Sequence, residues 1–209
     1  MKATGRWSIV SLIRFTVQFA WAVVLAITVI TGGMFIAALA TGNSLFPLGF
    51  PVYLGAGSYI TDLRELFEPG TVVLQSFSGI RVSYFSFQEL SASTVLLGLM
   101  QVGLLGYTLY ALSVLKRPLN SMALDRVFEP ENGKDLKIVS LLLLFAAPLK
   151  YGYEWLSRWN FESVIGTIEL TLMAPSFDFT LLMAGFTCYV VAEIVNQAAI
   201  MHNEQKMTV

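Results

Sequence analysis

Four long apolar stretches, separated by more polar segments, dominate the pattern of the sequence. They run from Phe15 to Ala40, from Ser91 to Leu115, from Ile138 to Trp155 and from Phe179 to Met201. A helix needs about 20 residues to cross the roughly 30 Å hydrocarbon core of a bilayer. The first, second and fourth stretches reach that length unaided. The third reaches it if its helix begins near Pro130, because proline suits the first turn of a helix.

The pattern therefore predicts a mainly α-helical integral membrane protein, with residues 1–209 in a single membrane domain. The four transmembrane helices are expected at about residues 8–40, 90–115, 130–156 and 178–202. The first of them follows a basic start and ends in Ala38-Leu39-Ala40, as a signal peptide would. Its apolar length exceeds the roughly 7–15 residues of a signal-peptide core, so we expect an uncleaved anchor.

The first and third loops between these helices, residues 41–89 and 157–177, contain strand patterns. The patterned segments are Thr71 to Phe77, Ile80 to Phe87 and Thr167 to Leu172. Ser78-Gly79 suits the turn of a hairpin between the first two. A lone hairpin is marginally stable in water, so we expect loops one and three to form one small extracytoplasmic β-sheet. The alternative for residues 164–173 is a re-entrant or interfacial segment.

Composition strengthens the membrane assignment and excludes several function classes. Only 13% of residues are charged and the mean hydropathy is +0.67, whereas a soluble domain carries about 25% charged residues. The net charge of −1 gives no sign of direct nucleic-acid binding, and the single cysteine excludes an internal disulfide. The sequence shows no nucleophile–base pair, metal spacing or phosphate loop. We therefore expect no catalytic, metal-binding or cofactor-binding residues, no cofactor and no enzymatic activity.

The distribution of lysine and arginine predicts the orientation of the chain. Eight basic residues lie on the side of the N-terminus, namely Lys2, Arg6, Arg14, Lys116, Arg117, Arg126, Lys134 and Lys137. Four lie on the other side, namely Arg64, Arg81, Lys150 and Arg158. Cytoplasmic loops carry the excess of Lys and Arg, so both termini and the second loop are expected to be cytoplasmic.

One carboxylate stands out inside the fourth apolar stretch. Glu193 is expected about eight residues, or about 12 Å, inside the cytoplasmic end of its helix. A charge at that depth usually faces the interior of the bundle and has a partner. Arg14, at a similar depth in the first helix, is the expected partner, and Lys137 is the second candidate. A structural ion pair is the first interpretation, and a proton or ligand relay is the second.

Two further patterns concern the other end of the third helix and the glycines of the second. Lys150, Glu154 and Arg158 are spaced four residues apart beside Trp155 and Trp159, which predicts an anchor at the membrane surface rather than a ligand site. On the second helix, glycines at 98, 103 and 106 are expected to admit a close neighbour, although they form no GxxxG motif.

The second loop and the C-terminal tail are expected to form one cytoplasmic docking surface. Its candidate contacts are Phe128, Glu131, Asn132, Glu204, Thr208 and Val209. Residues 116–137 carry five basic and four acidic groups. Such a mixed surface suits a protein partner better than anionic lipid, which attracts clusters of Lys and Arg. The alternative is a solvated loop without a docking function, whose basic residues only reflect its cytoplasmic position.

These segments also carry a set of family motifs. Phe128, Pro130, Glu131-Asn132, Leu136 and Ile138 stand around the start of the third helix, Ala192-Glu193 lie in the last, and "EQKMTV" closes the chain. From Ser91 to Val209 the sequence resembles the bacterial four-helix integral membrane proteins known as domain of unknown function 2975. Two departures are Glu129, where the family usually has a Ser or Thr cap, and Asn196-Gln197, which replace a more basic stretch.

The resemblance implies a multi-pass protein of the bacterial inner membrane. Members are often encoded beside a small helix-turn-helix regulator, which implies a soluble cytoplasmic protein as a partner in addition to the lipid bilayer. We therefore expect a non-enzymatic, membrane-bound regulatory or sensory partner. The alternative is a small transporter or channel subunit acting as an oligomer, and homo-oligomerisation is left open.

Overall fold

The computed structural model describes residues 9–42, 50–53, 72–78, 81–86, 91–124, 129–165 and 174–207. Its helices are α1 (Ile9–Thr41), α2 (Ala92–Ala123), α3 (Pro130–Ile165) and α4 (Phe179–Met207), and its strands are β1 (Phe50–Tyr53), β2 (Val72–Ser78) and β3 (Arg81–Ser86). All four helices are long and apolar enough to cross a membrane. This confirms the predicted mainly helical class with four candidate membrane spans.

Three of the helices are longer than the apolar pattern predicts. α2 ends at Ala123 rather than near residue 115, α3 ends at Ile165 rather than near 156, and α4 ends at Met207 rather than near 202. The pattern marks where apolar residues stop, but Lys, Arg, Glu and Gln are also good helix formers. α2 even continues past the buried Pro118, whose missing N–H removes one helical hydrogen bond. The connection from α2 to α3 is therefore only residues 124–129.

Polar caps fix several helix ends. The Ser91 hydroxyl accepts a hydrogen bond from the Thr94 amide (3.2 Å) at the start of α2, and Asp178 Oδ1 accepts one from the Leu181 amide (3.2 Å) at the start of α4. Both are side-chain N-caps of the type that satisfies otherwise unpaired amides. α1 is followed by Gly42, whose positive φ of 73° is the left-handed geometry of the glycine that commonly ends a helix.

The strands form a three-stranded antiparallel sheet in the order β1-β3-β2. The pairing of β2 with β3 contains a register shift between Leu74 and Ser76, which is a β-bulge. All three strands come from the chain between α1 and α2. The predicted extracytoplasmic sheet shared by loops one and three is not supported, because the third-loop segment 167–172 lies outside the described residues.

The chain divides into two compact units, each described by itself. The first unit comprises Met1–Ala26, Leu105–Pro148 and Asp178–Val209, and the second comprises Ile27–Leu104 and Leu149–Phe177. The second unit has a buried apolar cluster of Phe35, Val52, Leu97, Tyr153 and Phe161. Burial of such side chains away from water or lipid gives this unit a packed core.

Polar side chains of α3 are also buried in the second unit. Ser157 Oγ donates to the Pro51 carbonyl (2.7 Å), which ties α3 to β1. Asn160 Nδ2 donates to Ser93 Oγ (2.8 Å) at the start of α2. These hydrogen bonds satisfy groups that would otherwise be costly to bury.

The predicted row of Lys150, Glu154 and Arg158 is wrong at its central residue. Glu154 is buried, whereas Trp155 and Trp159 are exposed. Arg158 Nε instead donates to Glu162 Oε1 (2.8 Å), one turn further along α3. Residues four apart on α3 therefore do pair, as Arg158 and Glu162 show. Glu154 does not belong to the exposed row, because its side of α3 is buried within this unit.

In the first unit, α3 and α4 run antiparallel and approach each other closely at two glycines. A Cβ added to Gly133 would lie 2.9 Å from Asn196 Cβ, and one added to Gly185 would lie 2.8 Å from Leu144 Cγ. The two contacts are eleven residues apart on each helix, so one register holds along both. By contrast, Gly103 and Gly106 of α2 face open space, so the expectation of a close neighbour there is wrong.

Replacement of Gly133 or Gly185 by alanine is expected to destabilise the protein. The added methyl group would overlap a side chain and the adjacent backbone of the facing helix, and overpacking of this kind costs about 1–3 kcal/mol. Gly103→Ala and Gly106→Ala are matched controls that gain helix propensity without a clash. Thermal unfolding in detergent should separate the two pairs. Equal midpoints for all four variants would show that the helices do not approach at these glycines.

Candidate functional site

A cavity of about 640 Å³ lies in the first unit, between the end of α2 and the start of α3. Its walls carry two basic residues, Arg117 and Lys134, three acidic residues, Glu129, Glu131 and Asp135, and also Ser121, Asn132 and Ile138. Arg117, Glu131 and Lys134 are exposed. The cavity therefore offers charges of both signs at an accessible surface.

A chain of hydrogen bonds links three of the residues that line this cavity. Asn132 Nδ2 donates to Ser121 Oγ (3.1 Å), and Ser121 Oγ donates to Glu129 Oε2 (2.9 Å). These bonds join the last turn of α2 to the first turn of α3. They also account for Glu129 at the position where a Ser or Thr cap was expected, because its carboxylate is bound by the neighbouring helix.

Asn132 lines the cavity but is only 3% exposed, and its predicted part in docking stays a prediction. Its amide is directed into the junction of α2 and α3, where it serves the fold. Ser121, which the sequence reasoning did not single out, is the centre of this junction. The sequence offered one signal, since Ser121 is a polar residue in the segment that the apolar pattern assigned to the loop between helices two and three.

Arg117 and Asp135, which both line the cavity, form an ion pair. Arg117 Nη1 lies 3.7 Å from Asp135 Oδ1, and the arginine side chain is largely exposed. Such exposed pairs contribute about 0–1 kcal/mol to stability. The pair is therefore weak enough to be exchanged for an interaction with a ligand or partner.

The other predicted docking residues divide into two groups. Glu131 and Glu204 are exposed, whereas Phe128, Thr208 and Val209 lie outside the described residues. The contact of Gly133 with Asn196 places Pro130 opposite about residue 199. The last eight residues of α4 therefore extend about 12 Å beyond the first turn of α3, at the same end of the unit as the cavity.

A second polar site lies between α3 and α4. Lys137 Nζ is 2.6 Å from Glu193 Oε2, and the two side chains are 34% and 41% exposed. The Lys137 ammonium also lies 5.8 Å from the centre of the Tyr189 ring, and Gln197 forms a side-chain hydrogen bond with Glu193. The structure thus selects Lys137, the second candidate, as the partner of Glu193.

The predicted pairing of Arg14 with Glu193 is wrong. Among the described residues, the ion pair of Glu193 is with Lys137. The register of the helices supplies the reason. Trp21 Nε1 donates to Ser113 Oγ (2.8 Å), and Lys116 Nζ lies 3.7 Å from the centre of the Trp21 ring. Trp21 is thus a residue of α1 that contacts the end of the apolar part of α2. Arg14 precedes Trp21 by seven residues and lies about 10 Å nearer the N-terminus of α1.

Lys116 and Trp21 were missed by the sequence reasoning. A lysine at the end of an apolar stretch and a tryptophan near a membrane surface are typical of an interface anchor, and this signal was present in the sequence. The cation–π contact between them stabilises the pair of helices by about 0.5–2 kcal/mol.

No protein-family model, curated protein or solved structure matches this chain. The resemblance to domain of unknown function 2975 therefore stays a prediction. Functional conclusions for this chain depend on the geometry of its own residues, above all on the mixed-charge cavity and on the Lys137–Glu193 pair.

Neutralising either member of the Lys137–Glu193 pair is expected to lower the thermal midpoint in detergent. Glu193→Gln leaves the Lys137 ammonium without its carboxylate, and Lys137→Gln has the reverse effect. The double variant should lose less than the sum of the two single losses, because the partners interact directly. Exchanging the charges, Lys137→Glu with Glu193→Lys, should recover part of the stability.

Arg14→Gln is the control for this experiment and should leave the midpoint close to that of the unmodified protein. A loss for Arg14→Gln that matches the loss for Glu193→Gln, and that is not additive with it, would restore the Arg14 pairing and contradict the observed one.

Proposed function

We propose that this protein is a non-enzymatic, membrane-bound regulatory or sensory partner of a soluble cytoplasmic protein. The observation that carries the proposal is the cavity between the end of α2 and the start of α3, with its accessible charges of both signs. We place the protein in the inner membrane of a bacterium, with both termini and this cavity on the cytoplasmic side.

The charges around the cavity support a protein rather than a lipid as its ligand. Arg117 and Lys134 stand beside Glu131 and Asp135, so the site attracts neither anions nor cations alone. Complementary charges on a protein surface fix the register of a complex and suppress wrong partners. The hydrogen-bonded junction of Ser121 and Asn132 keeps these side chains on a rigid base, which reduces the entropy lost on binding.

The cytoplasmic placement is supported by the basic residues at the same end of the first unit. These are Arg14, Lys116, Arg117, Lys134 and Lys137, which belong to the segments that the distribution of Lys and Arg assigns to the inside. We place the loop between α1 and α2 outside the cytoplasm, where it would receive a signal. The partner class implied by the family resemblance is a small helix-turn-helix regulator.

The buried polar face of α3 favours a second candidate function. Glu154, Ser157 and Asn160 are buried in a helix able to span a membrane, and such residues often mark a solute path in transporters and channels. Ser157 and Asn160, however, already donate to Pro51 and Ser93. This use in the fold makes a small transporter or channel subunit, acting as an oligomer, the weaker of the two proposals.

Site-specific photo-crosslinking in intact cells tests the docking proposal. A photoreactive residue in place of Lys134, at the cavity, is expected to form an adduct with a soluble protein. The same residue in place of Trp159, an exposed position near the other end of α3, should not. Glu131→Lys should reduce the Lys134 adduct about tenfold, as expected for loss of a central interface contact.

The matched control is Glu162→Lys, which reverses an exposed acidic residue outside the cavity and should leave the adduct unchanged. Adducts with lipid alone, or a protein adduct that survives Glu131→Lys, would contradict the proposal.

A further inference from the structure

We propose that the face of α3 and α4 around Lys137 and Glu193 binds a second copy of this chain. In the resulting pair of copies, Lys137 of each copy faces Glu193 of the other. Neither Lys137 nor Glu193 lines the cavity that carries the proposed function. The two proposals can therefore fail independently.

The position of the ion pair along the helices is the first argument. Glu193 lies near the middle of the candidate span Phe179–Gln205, 14 residues after its start and 12 before its end. Twelve helical residues correspond to about 18 Å. Lys137 lies seven residues, or about 10 Å, inside the span that begins at Pro130. Since the two groups pair at 2.6 Å, they lie at one depth, inside both candidate spans and next to Ile138, where the apolar stretch of α3 begins.

The exposure of the pair is the second argument. The Lys137 and Glu193 side chains are 34% and 41% exposed although they contact each other. Ion pairing cancels the net charge, but it leaves part of each polar head directed outwards. Polar groups within a membrane are costly unless another polar group covers them, and they usually face a protein interior. The outward part of this pair therefore needs contact with another polar group.

Charge complementarity identifies a second copy of the chain as the molecule that contacts the exposed part of the pair. A two-fold axis brings the same patch of two copies together, so that one residue of a pair meets the other. A surface carrying one ammonium beside one carboxylate is self-complementary under this symmetry. Lipid headgroups also carry both charges, and the crosslinking experiment below distinguishes them from a second copy.

The residues beside the ion pair suit a contact between helices. Phe186, Tyr189 and Val190 precede Glu193 by seven, four and three residues, and Leu141 follows Lys137 by four. These spacings place them on the same helix faces as the charges, and all four side chains are exposed. Gly133 and Gly185 bring α3 and α4 together without a protruding side chain. The result is a polar centre flanked by apolar and aromatic groups, as polar contacts between membrane helices require.

Disulfide crosslinking of the full-length chain in native membranes tests the interface. Cys188 is first replaced by alanine. Val190→Cys and Val191→Cys are then compared, because these adjacent valines are both exposed, at 57% and 46%. Val190 lies about 60° from Glu193 around α4, and Val191 about 160°. The proposal expects about tenfold more disulfide-linked dimer from Val190→Cys. Equal amounts of dimer from the two positions would overturn the proposal and would indicate that lipid contacts the pair.

A charge-exchange experiment shows whether the charges contact each other across the interface. Lys137→Glu alone and Glu193→Lys alone should each reduce the Val190→Cys dimer, because like charges then meet. Coexpression of the two variants should restore a mixed dimer to within about twofold of the unmodified level, since each chain now supplies the charge that the other lacks. Failure of coexpression to restore the mixed dimer, with both variants present in the membrane, would contradict the proposed contact.

Discussion

The close approach of α3 and α4 determines much of the geometry of the first unit. At Gly133 and Gly185 there is no space for even one additional carbon atom, so the facing helix packs directly on backbone. Two such contacts with equal spacing on both helices allow one register. That register brings Lys137 to Glu193 at 2.6 Å and fixes how far α4 extends beyond α3. A shift by one residue would break both glycine contacts and the ion pair together.

The polar chemistry of the unit follows from this packing and from the junction of α2 with α3. Ser121 receives a hydrogen bond from Asn132 and donates one to Glu129, so the short connection holds the two helix ends in a defined arrangement. The cavity beside this junction carries charges of both signs. Rigid placement of such charges is what a specific protein contact needs, because positions fixed in advance reduce the cost of binding.

Hydrophobic patterning predicted the four helices because apolar runs of about 20 residues have few alternative structures. It did not predict helix ends, since α2 continues through Lys116, Arg117 and Pro118 to Ala123. Depth along single helices suggested Arg14 as the partner of Glu193, but partners depend on the register between helices, which one sequence does not contain. The burial of Asn132 escaped prediction for the same reason. The glycines that set the register were distinguishable from Gly103 and Gly106 only by their neighbours in space.

Disulfide formation between α3 and α4 tests this register most directly. In a chain with Cys188→Ala, the pair Gly133→Cys and Asn196→Cys would place two Cβ atoms about 2.9 Å apart, and a small outward shift reaches the roughly 3.5–4.5 Å of a disulfide. The pair Lys137→Cys and Asn196→Cys is displaced by one turn. The register predicts rapid oxidation of the first pair within one chain and little of the second. Faster oxidation of the displaced pair would contradict it.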